Sequence, residues 1–368
     1  MSYFTVLSRK WRPKTFDDIV GQINVVKALK NSFSLNRFHH AYLFSGMHGV
    51  GKTSIARLMG KSLNCSKGVT ISPCGVCDNC LQIEKGNFVD FIEIDAASRS
   101  KVEDVRELLE NVQYIPIHGR FKIYLIDEVH MLSRYSFNAL LKVLEEPPEY
   151  VKFFLVTTDL HKIPITVVSR CLLFYFQSLL VDQIQDKLKL ILLNEKINFE
   201  DSALHFLSNE SQGSMRDALS LVDQAIVLGK GFINERIVHC MFCFIDKNYS
   251  LSLIESLVFL DTKGIVLNLE KYSNLGLNWE NLLVDMILLL YRISCIQLSY
   301  NKFFDSSYFK ESDIFSRLKK LSSYIDKKDL QFYYKVLLKA RRDLPYAPSY
   351  QICVEMSLFK ILTYHINK

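Results

Sequence analysis

Ala41-Tyr42-Leu43-Phe44-Ser45-Gly46-Met47-His48-Gly49-Val50-Gly51-Lys52-Thr53-Ser54-Ile55-Ala56 is the stretch whose reading decides the fold. Residues 41–44 read as a buried strand, and residues 53–64 carry apolar side chains at helical spacing. Between them, Gly46 to Thr53 fits G-x-x-x-x-G-K-[ST] in the strand-to-helix context that gives the motif its meaning. Glycines there let backbone N–H groups curl around phosphates, and the helix N-terminus adds partial positive charge. The expected ATP contacts are Gly46, Met47, His48, Gly49, Val50 and Gly51, with Lys52 bridging the β- and γ-phosphates and Thr53 offering its hydroxyl to Mg²⁺.

Further along, Ile123-Tyr124-Leu125-Ile126 reads as a buried strand running into Asp127-Glu128-Val129-His130, a Walker B pattern. A carboxylate at such a strand end holds Mg²⁺, and the next one orients the attacking water, so Asp127 takes the metal role and Glu128 the catalytic one. His130 is read as structural. Other strand runs fall at 88–94, 151–156 and 172–176, with helical patterns at 101–112 and 135–144. Strands alternating with helices imply an α/β domain built on a parallel sheet, here residues 1–178. Beyond it the strand signal disappears. Amphipathic stretches broken by Gly213 and Gly229-Lys230-Gly231 give a small helical lid domain, 179–243, and long apolar stripes give a second all-α domain, 244–368.

The 368 residues allow two or three domains; 49% hydrophobic and 23% charged residues, with 14 Gly and 8 Pro, exclude a disordered or collagen-like chain. The net charge of +6 is concentrated: residues 1–89 carry 12 Lys/Arg against 4 Asp/Glu, whereas the remainder carries 33 against 35. Such a bias suits a polyanion, either nucleotide phosphates or a nucleic-acid backbone, and also an ordinary solvated surface. The opening residues lack the apolar stretch of a signal peptide, and no run approaches a membrane span, so a soluble cytoplasmic protein without a membrane partner is expected.

In that compartment nine cysteines read as thiols or metal ligands. Cys65, Cys74, Cys77 and Cys80 follow C-x8-C-x2-C-x2-C, among turn-forming residues, and read as a closed structural Zn²⁺ site of four thiolates. An iron–sulfur cluster or a redox dithiol remains open as the alternative. Cys240 and Cys243, with Cys171, Cys295 and Cys353, lie in apolar surroundings and are expected to be core.

With both nucleotide motifs placed, the chain resembles the bacterial DNA polymerase III gamma/tau family, the ATPases of the sliding-clamp loader. The resemblance rests on Lys10-Trp11-Arg12-Pro13 leading to Val20-Gly21-Gln22, the cysteine cluster, Asp95-Ala96-Ala97-Ser98, Asp127-Glu128-Val129-His130-Met131-Leu132-Ser133, Leu144-Glu145-Glu146-Pro147-Pro148, Ser169-Arg170-Cys171 and Gly213-Ser214-Met215-Arg216-Asp217-Ala218. It implies a P-loop AAA+ ATPase whose site is shared between neighbouring subunits. By resemblance, Thr158 is the sensor 1 residue, Arg170 the arginine finger that reaches a neighbour's nucleotide, Arg216 the sensor 2 residue on the lid, and Val20 borders the adenine.

The last domain resembles an oligomerising collar, and the implied partners are other loader subunits in a hetero-oligomeric ring, the sliding clamp and primer–template DNA. The implied function is loading that clamp within the DNA-directed DNA polymerase (nucleotidyltransferase) holoenzyme, with no polymerase active site in this chain. Ending at Lys368, the sequence resembles the short form of the family. The alternatives are another AAA+ DNA motor, such as a branch-migration ATPase, and an ATP-binding scaffold with negligible turnover.

Overall fold

The computed structural model describes residues 6–98, 111–241, 247–274, 278–298 and 313–366. Two compact units emerge, residues 1–238 and 239–368.

In the first unit five strands, β1 (Ala41–Ser45), β2 (Phe91–Asp95), β3 (Lys122–Asp127), β4 (Val151–Thr157) and β5 (Leu172–Tyr175), form an all-parallel sheet in the order β2-β3-β4-β1-β5. The central strands are buried at nearly every position, as the continuous apolar runs require of a sheet covered on both faces. Side chains alternate between two cores. Tyr42, Phe44, Ile123, Leu125, Phe154 and Val156 face one layer, and Ala41, Leu43, Tyr124, Ile126, Phe153 and Leu155 face the other.

The first layer holds α2 (Ile23–Ser34) and α3 (Lys52–Asn64), whose Val25, Leu29, Ile55, Leu58, Met59 and Leu63 fill it. Each such fully buried side chain contributes about 1.5–3 kcal/mol. α4 (Asp78–Lys85) starts within the cysteine cluster and sends Ile83 into the same core. The opposite layer holds α5 (Arg134–Glu145), through Phe137, Leu140 and Leu144, and α6 (Ile165–Val168), through Val167. Because the strands are parallel, their C-terminal ends share one edge, where Ser45 lies in register with Thr157 and Asp127 ends the strand beside them.

The remainder of this unit is built from α7 (Val181–Glu195), α8 (Asp201–Glu210) and α9 (Met215–Leu228), followed by the start of α10 (Glu235–Met241). Two strands of two residues each, β6 (Asn198–Phe199) and β7 (Phe232–Ile233), pair in parallel beside these helices, where the sequence pattern indicates helices alone. Two residues show no alternation, so pairing of this kind leaves no periodic signal. A first short helix, α1 (Leu7–Lys10), docks on the same subdomain. Leu7 N–H donates to Asp223 Oδ2 at 2.9 Å, Trp11 Nε1 donates to Glu195 Oε1 at 2.7 Å, and Lys10 Nζ pairs with the same carboxylate. One basic side chain of the opening segment, Lys10, is thereby paired by the fold's own carboxylate.

The second unit contains α11 (Lys247–Val258), α12 (Thr262–Asn274), α13 (Trp279–Gln297), α14 (Asp313–Tyr324), α15 (Lys327–Asp343) and α16 (Tyr350–Ile366). Its core is made by residues such as Ile254, Leu283, Met286, Leu290, Leu321, Leu337, Leu358 and Ile361 from successive helices. No helix among the described residues is long and apolar enough to cross a membrane. Cys295 is buried as expected, but Cys171 and Cys353 are only half-buried, because each lies at the margin of its core. The helical pattern at 101–110, the side chain of Cys240, and Cys243 lie outside the described residues.

Candidate nucleotide site

The loop between β1 and α3 is closed on itself. Lys52, buried at the first position of α3, donates from Nζ to the carbonyl oxygens of Gly46 (2.6 Å) and Met47 (2.7 Å). Burial holds its pKa below the ordinary lysine value, while Glu128 and Asp127 act in the opposite direction. Gly51 precedes α3 with φ +101°, and Gly49 has φ +70°, both in the region that favours glycine. At Gly49 space is decisive as well, since a Cβ there would collide with Ser214 Oγ.

Asp127 and Thr53 meet at this loop: Thr53 Oγ1 donates to Asp127 Oδ2 at 2.9 Å, and Glu128 N–H donates to Asp127 Oδ1 at 3.0 Å. Burial pushes the Asp127 carboxyl above the usual aspartate value, against the Thr53 and Glu128 hydrogen bonds. Two oxygens of this kind are a hard donor set that fits Mg²⁺. Glu128 has φ +48°, a left-handed conformation uncommon for a non-glycine residue, where the chain leaves β3 for the short 3₁₀ turn Val129–Met131.

Three side chains surround the Glu128 carboxylate. Thr158 Oγ1 donates to Oε2 at 3.0 Å, His130 Nδ1 lies 3.2 Å from Oε2, and His48 Nδ1 lies 3.4 Å from Oε1. The sequence motif gives His48 only a backbone role and leaves His130 structural. The His48 contact depends on β1 and β3 flanking β4, which motif spacing does not encode; His130 reaches Glu128 from two residues along the same turn.

On the lid side, Ser214 caps α9 by accepting from Asp217 N–H, and Met215 N–H donates to the Gly49 carbonyl at 3.1 Å. This sets Arg216, in the first turn of α9, beside the phosphate loop, with its charge felt by Arg12. Val20 is half-buried, and next to it Gln22 exchanges hydrogen bonds with the Gln177 backbone while Gly21 packs against Leu179 and Gln183. Arg170 is not part of this cluster. Its guanidinium is bound by Glu145 and the Thr166 carbonyl.

A separate centre is formed by Cys65, Cys74, Cys77 and Cys80, whose sulfurs all lie within 4.8 Å of one another. Tetrahedral Zn²⁺ with Zn–S of about 2.3 Å places its sulfurs about 3.8 Å apart, so the cage fits a four-thiolate metal. Cys74 N–H donates to Cys65 Sγ and Cys77 N–H to Cys74 Sγ, which stabilises thiolate charge. Burial opposes ionisation of Cys77, but hydrogen bonds from Ser66 and Cys80 outweigh it and hold the thiol down to about 6; burial pushes Cys80 up.

Comparison with known proteins assigns the chain by its whole length. It is 53% identical to DNA polymerase III subunit tau of Escherichia coli (strain K12) over 99% of this chain and 56% of that protein. It is 47% identical to DNA polymerase III subunit gamma of Buchnera aphidicola subsp. Acyrthosiphon pisum over 98% of this chain and 99% of that protein. The chain belongs to the DNA polymerase III gamma/tau family. The family descriptions matched along it are "DNA polymerase III, delta subunit" at 21–180, "DNA polymerase III clamp loader subunit, ATPase lid domain" at 183–231 and "DNA polymerase III subunits gamma and tau domain III" at 233–366. Its architecture is accordingly an AAA+ P-loop α/β fold with a lid and a helical C-terminal domain. The chain spans about half the length of the tau relatives it matches. Among solved structures, the Thermotoga maritima RuvB Holliday junction branch migration motor covers 67% of this chain and 80% of its own, at 20% identity and a TM-score of 0.46, a likeness too distant to bear on function.

Proposed function

We propose that this chain is an ATP-hydrolysing subunit of the clamp loader, converting ATP binding and hydrolysis into placement of a sliding clamp on primed DNA in the bacterial cytoplasm. The observation that carries the reading is the meeting of Lys52, the Thr53–Asp127 pair and the Glu128–Thr158 pair at one end of three adjacent strands.

On this reading Lys52 leaves the Gly46 and Met47 carbonyls to take the β- and γ-phosphates, and the backbone of residues 46–51 cradles them. Thr53 and Asp127 hold Mg²⁺, which when bound neutralises charge on the phosphate oxygens. Glu128 orients the attacking water. Thr158, already bonded to Glu128, senses the γ-phosphate, and Arg216 closes from the lid. Val20 borders the base. Arg170, turned away from its own site, is delivered to a neighbour's nucleotide, so hydrolysis depends on assembly.

The four cysteines hold Zn²⁺ as a brace with no open coordination position. We retain the division into a motor domain (1–178), a lid (179–243) and an oligomerising collar (244–368). The partners are other loader subunits, the clamp and primer–template DNA. The test is ATP turnover by the chain assembled with these partners. Wild type is expected to exceed Lys52→Ala by orders of magnitude; equal rates would leave an ATP-binding scaffold as the surviving reading.

A further inference from the structure

Glu128 is gripped from two sides of different character. His48 touches Oε1 from the solvent side and is 73% exposed, so it can swing away; His130 touches Oε2 from inside, where it is only 10% exposed. What His130 does there depends on which ring nitrogen carries hydrogen.

The hydrogen-bond network answers that question. His130 Nδ1 lies 3.1 Å from Thr157 Oγ1 as well as 3.2 Å from Glu128 Oε2. The single hydroxyl proton of Thr157 is spent on the Asp159 carbonyl at 3.0 Å, and the same oxygen accepts Asp159 N–H at 3.1 Å. With its proton so placed, Thr157 accepts toward His130. A carboxylate oxygen facing an unprotonated Nδ1 would set lone pair against lone pair. A proton on Nδ1 makes both contacts favourable: Nδ1–H stands in hydrogen-bonding position to Thr157 Oγ1 and lies against the Glu128 carboxylate, 3.2 Å from Nδ1 to Oε2.

We propose that His130 is a positioning residue for Glu128: its Nδ1–H, fixed by Thr157, works with the Thr158 hydroxyl to aim the carboxylate at the phosphate loop. The inference rests on the hydrolytic reading of Glu128 given above. With Thr158 Oγ1 donating to Oε2 and His130 Nδ1 3.2 Å from it, Oε1 is left as the oxygen that faces the loop, against His48. When His48 moves aside, that oxygen is exposed to water without further movement of the side chain. The strained φ of Glu128 fits such an arrangement, since a left-handed backbone persists only where its surroundings hold it.

The experiment exploits a difference in reach. An asparagine amide nitrogen stands as many bonds from Cα as Nδ1 of histidine, whereas a glutamine nitrogen stands where Nε2 would. In the assembled loader with clamp and primed DNA, His130→Leu is expected to lower kcat by on the order of 10- to 100-fold with KM unchanged, the scale of a misplaced catalytic group. His130→Asn should restore most of that loss and His130→Gln should not. Long-range ¹H–¹⁵N spectra of the wild-type chain should show His130 protonated at Nδ1, a result that needs no variant to fold. Wild-type kcat in His130→Leu, equal rescue by glutamine, or a ring protonated at Nε2 alone each overturns the proposal while the gap between wild type and Lys52→Ala stands. If that gap is itself absent, the hydrolytic reading falls and takes this inference with it.

Discussion

Arg170 is tied to Glu145, with Nη2 2.7 Å from the carboxylate, so the Ser-Arg-Cys motif is joined to Leu-Glu-Glu-Pro-Pro across 25 residues of sequence. With side chains 35% and 51% exposed, the pair contributes less than about 1 kcal/mol and yields readily to a stronger anion. Arg170→Ala is therefore expected to leave the thermal stability of the isolated chain nearly unchanged. In the assembled loader the same substitution should cost about 10³-fold in ATP turnover, the low end for an arginine finger. Full turnover by that variant in the assembly would sink the shared-site reading.

Gly49→Ala should disable the phosphate loop from the lid side. Its Cβ would run into Ser214 Oγ at a φ of +70°, so both the backbone and the start of α9 must shift. A destabilisation of about 1–3 kcal/mol is expected, together with weakened nucleotide binding. Chemical denaturation and ATP titration of the variant measure the two effects; unchanged values in both would contradict this packing.

Asp127→Asn separates stability from catalysis. Burial raises the Asp127 pKa above the ordinary 3.8, so the folded chain holds that proton more tightly than the unfolded one. The associated stability is full below the ordinary value and is lost as pH rises through the higher folded value. At neutral pH the ionised carboxylate is a net liability to the nucleotide-free chain. Replacing it with the amide, whose NH₂ the Thr53 hydroxyl can accept, should raise the neutral melting temperature slightly and flatten the decline above the ordinary aspartate range. Mg²⁺-dependent hydrolysis should disappear. Melting curves across pH decide the first part, and a steeper decline in the variant would refute it.

Metal removal should act on stability rather than on phosphate chemistry. Protons compete with the metal for the four thiolates, so metal release is expected on acidification. Chelation or Cys77→Ser should open residues 65–80 to proteolysis and lower the unfolding temperature. Metal analysis of the purified chain should return about one zinc per chain; iron with labile sulfide would replace the zinc reading by a cluster.

Much of the fold could be read from local pattern. The central strands β1, β3 and β4 and helices such as Asp201–Glu210 and Met215–Leu228 stand where apolar periodicity places them, because a strand covered on both faces needs an unbroken apolar run and a lid helix needs a stripe; the outer strand β2 begins at Phe91, three residues later than its apolar run. The β6–β7 pair was not legible, because two residues carry no period. The role of the opening basic segment was also hidden: Lys10 counts toward a polyanion until Glu195, 185 residues away, is found paired with it, while Asp223 anchors the same segment through the Leu7 backbone N–H.

By itself the sequence determined the chemistry available: a glycine-rich loop with Lys52 and Thr53, adjacent carboxylates at Asp127 and Glu128, and four cysteines spaced to close on one ion. These are local facts, carried by residues a few positions apart. Only the tertiary structure decided what else Glu128 touches: His130 follows it by two residues in the same turn, whereas parallel pairing of β1, β4 and β3 brings His48 and Thr158 to it from separate segments. It likewise turned Arg170 toward Glu145 and away from its own phosphate loop. Strand order and register are set by the summed burial of a whole sheet, and no single motif contains that sum.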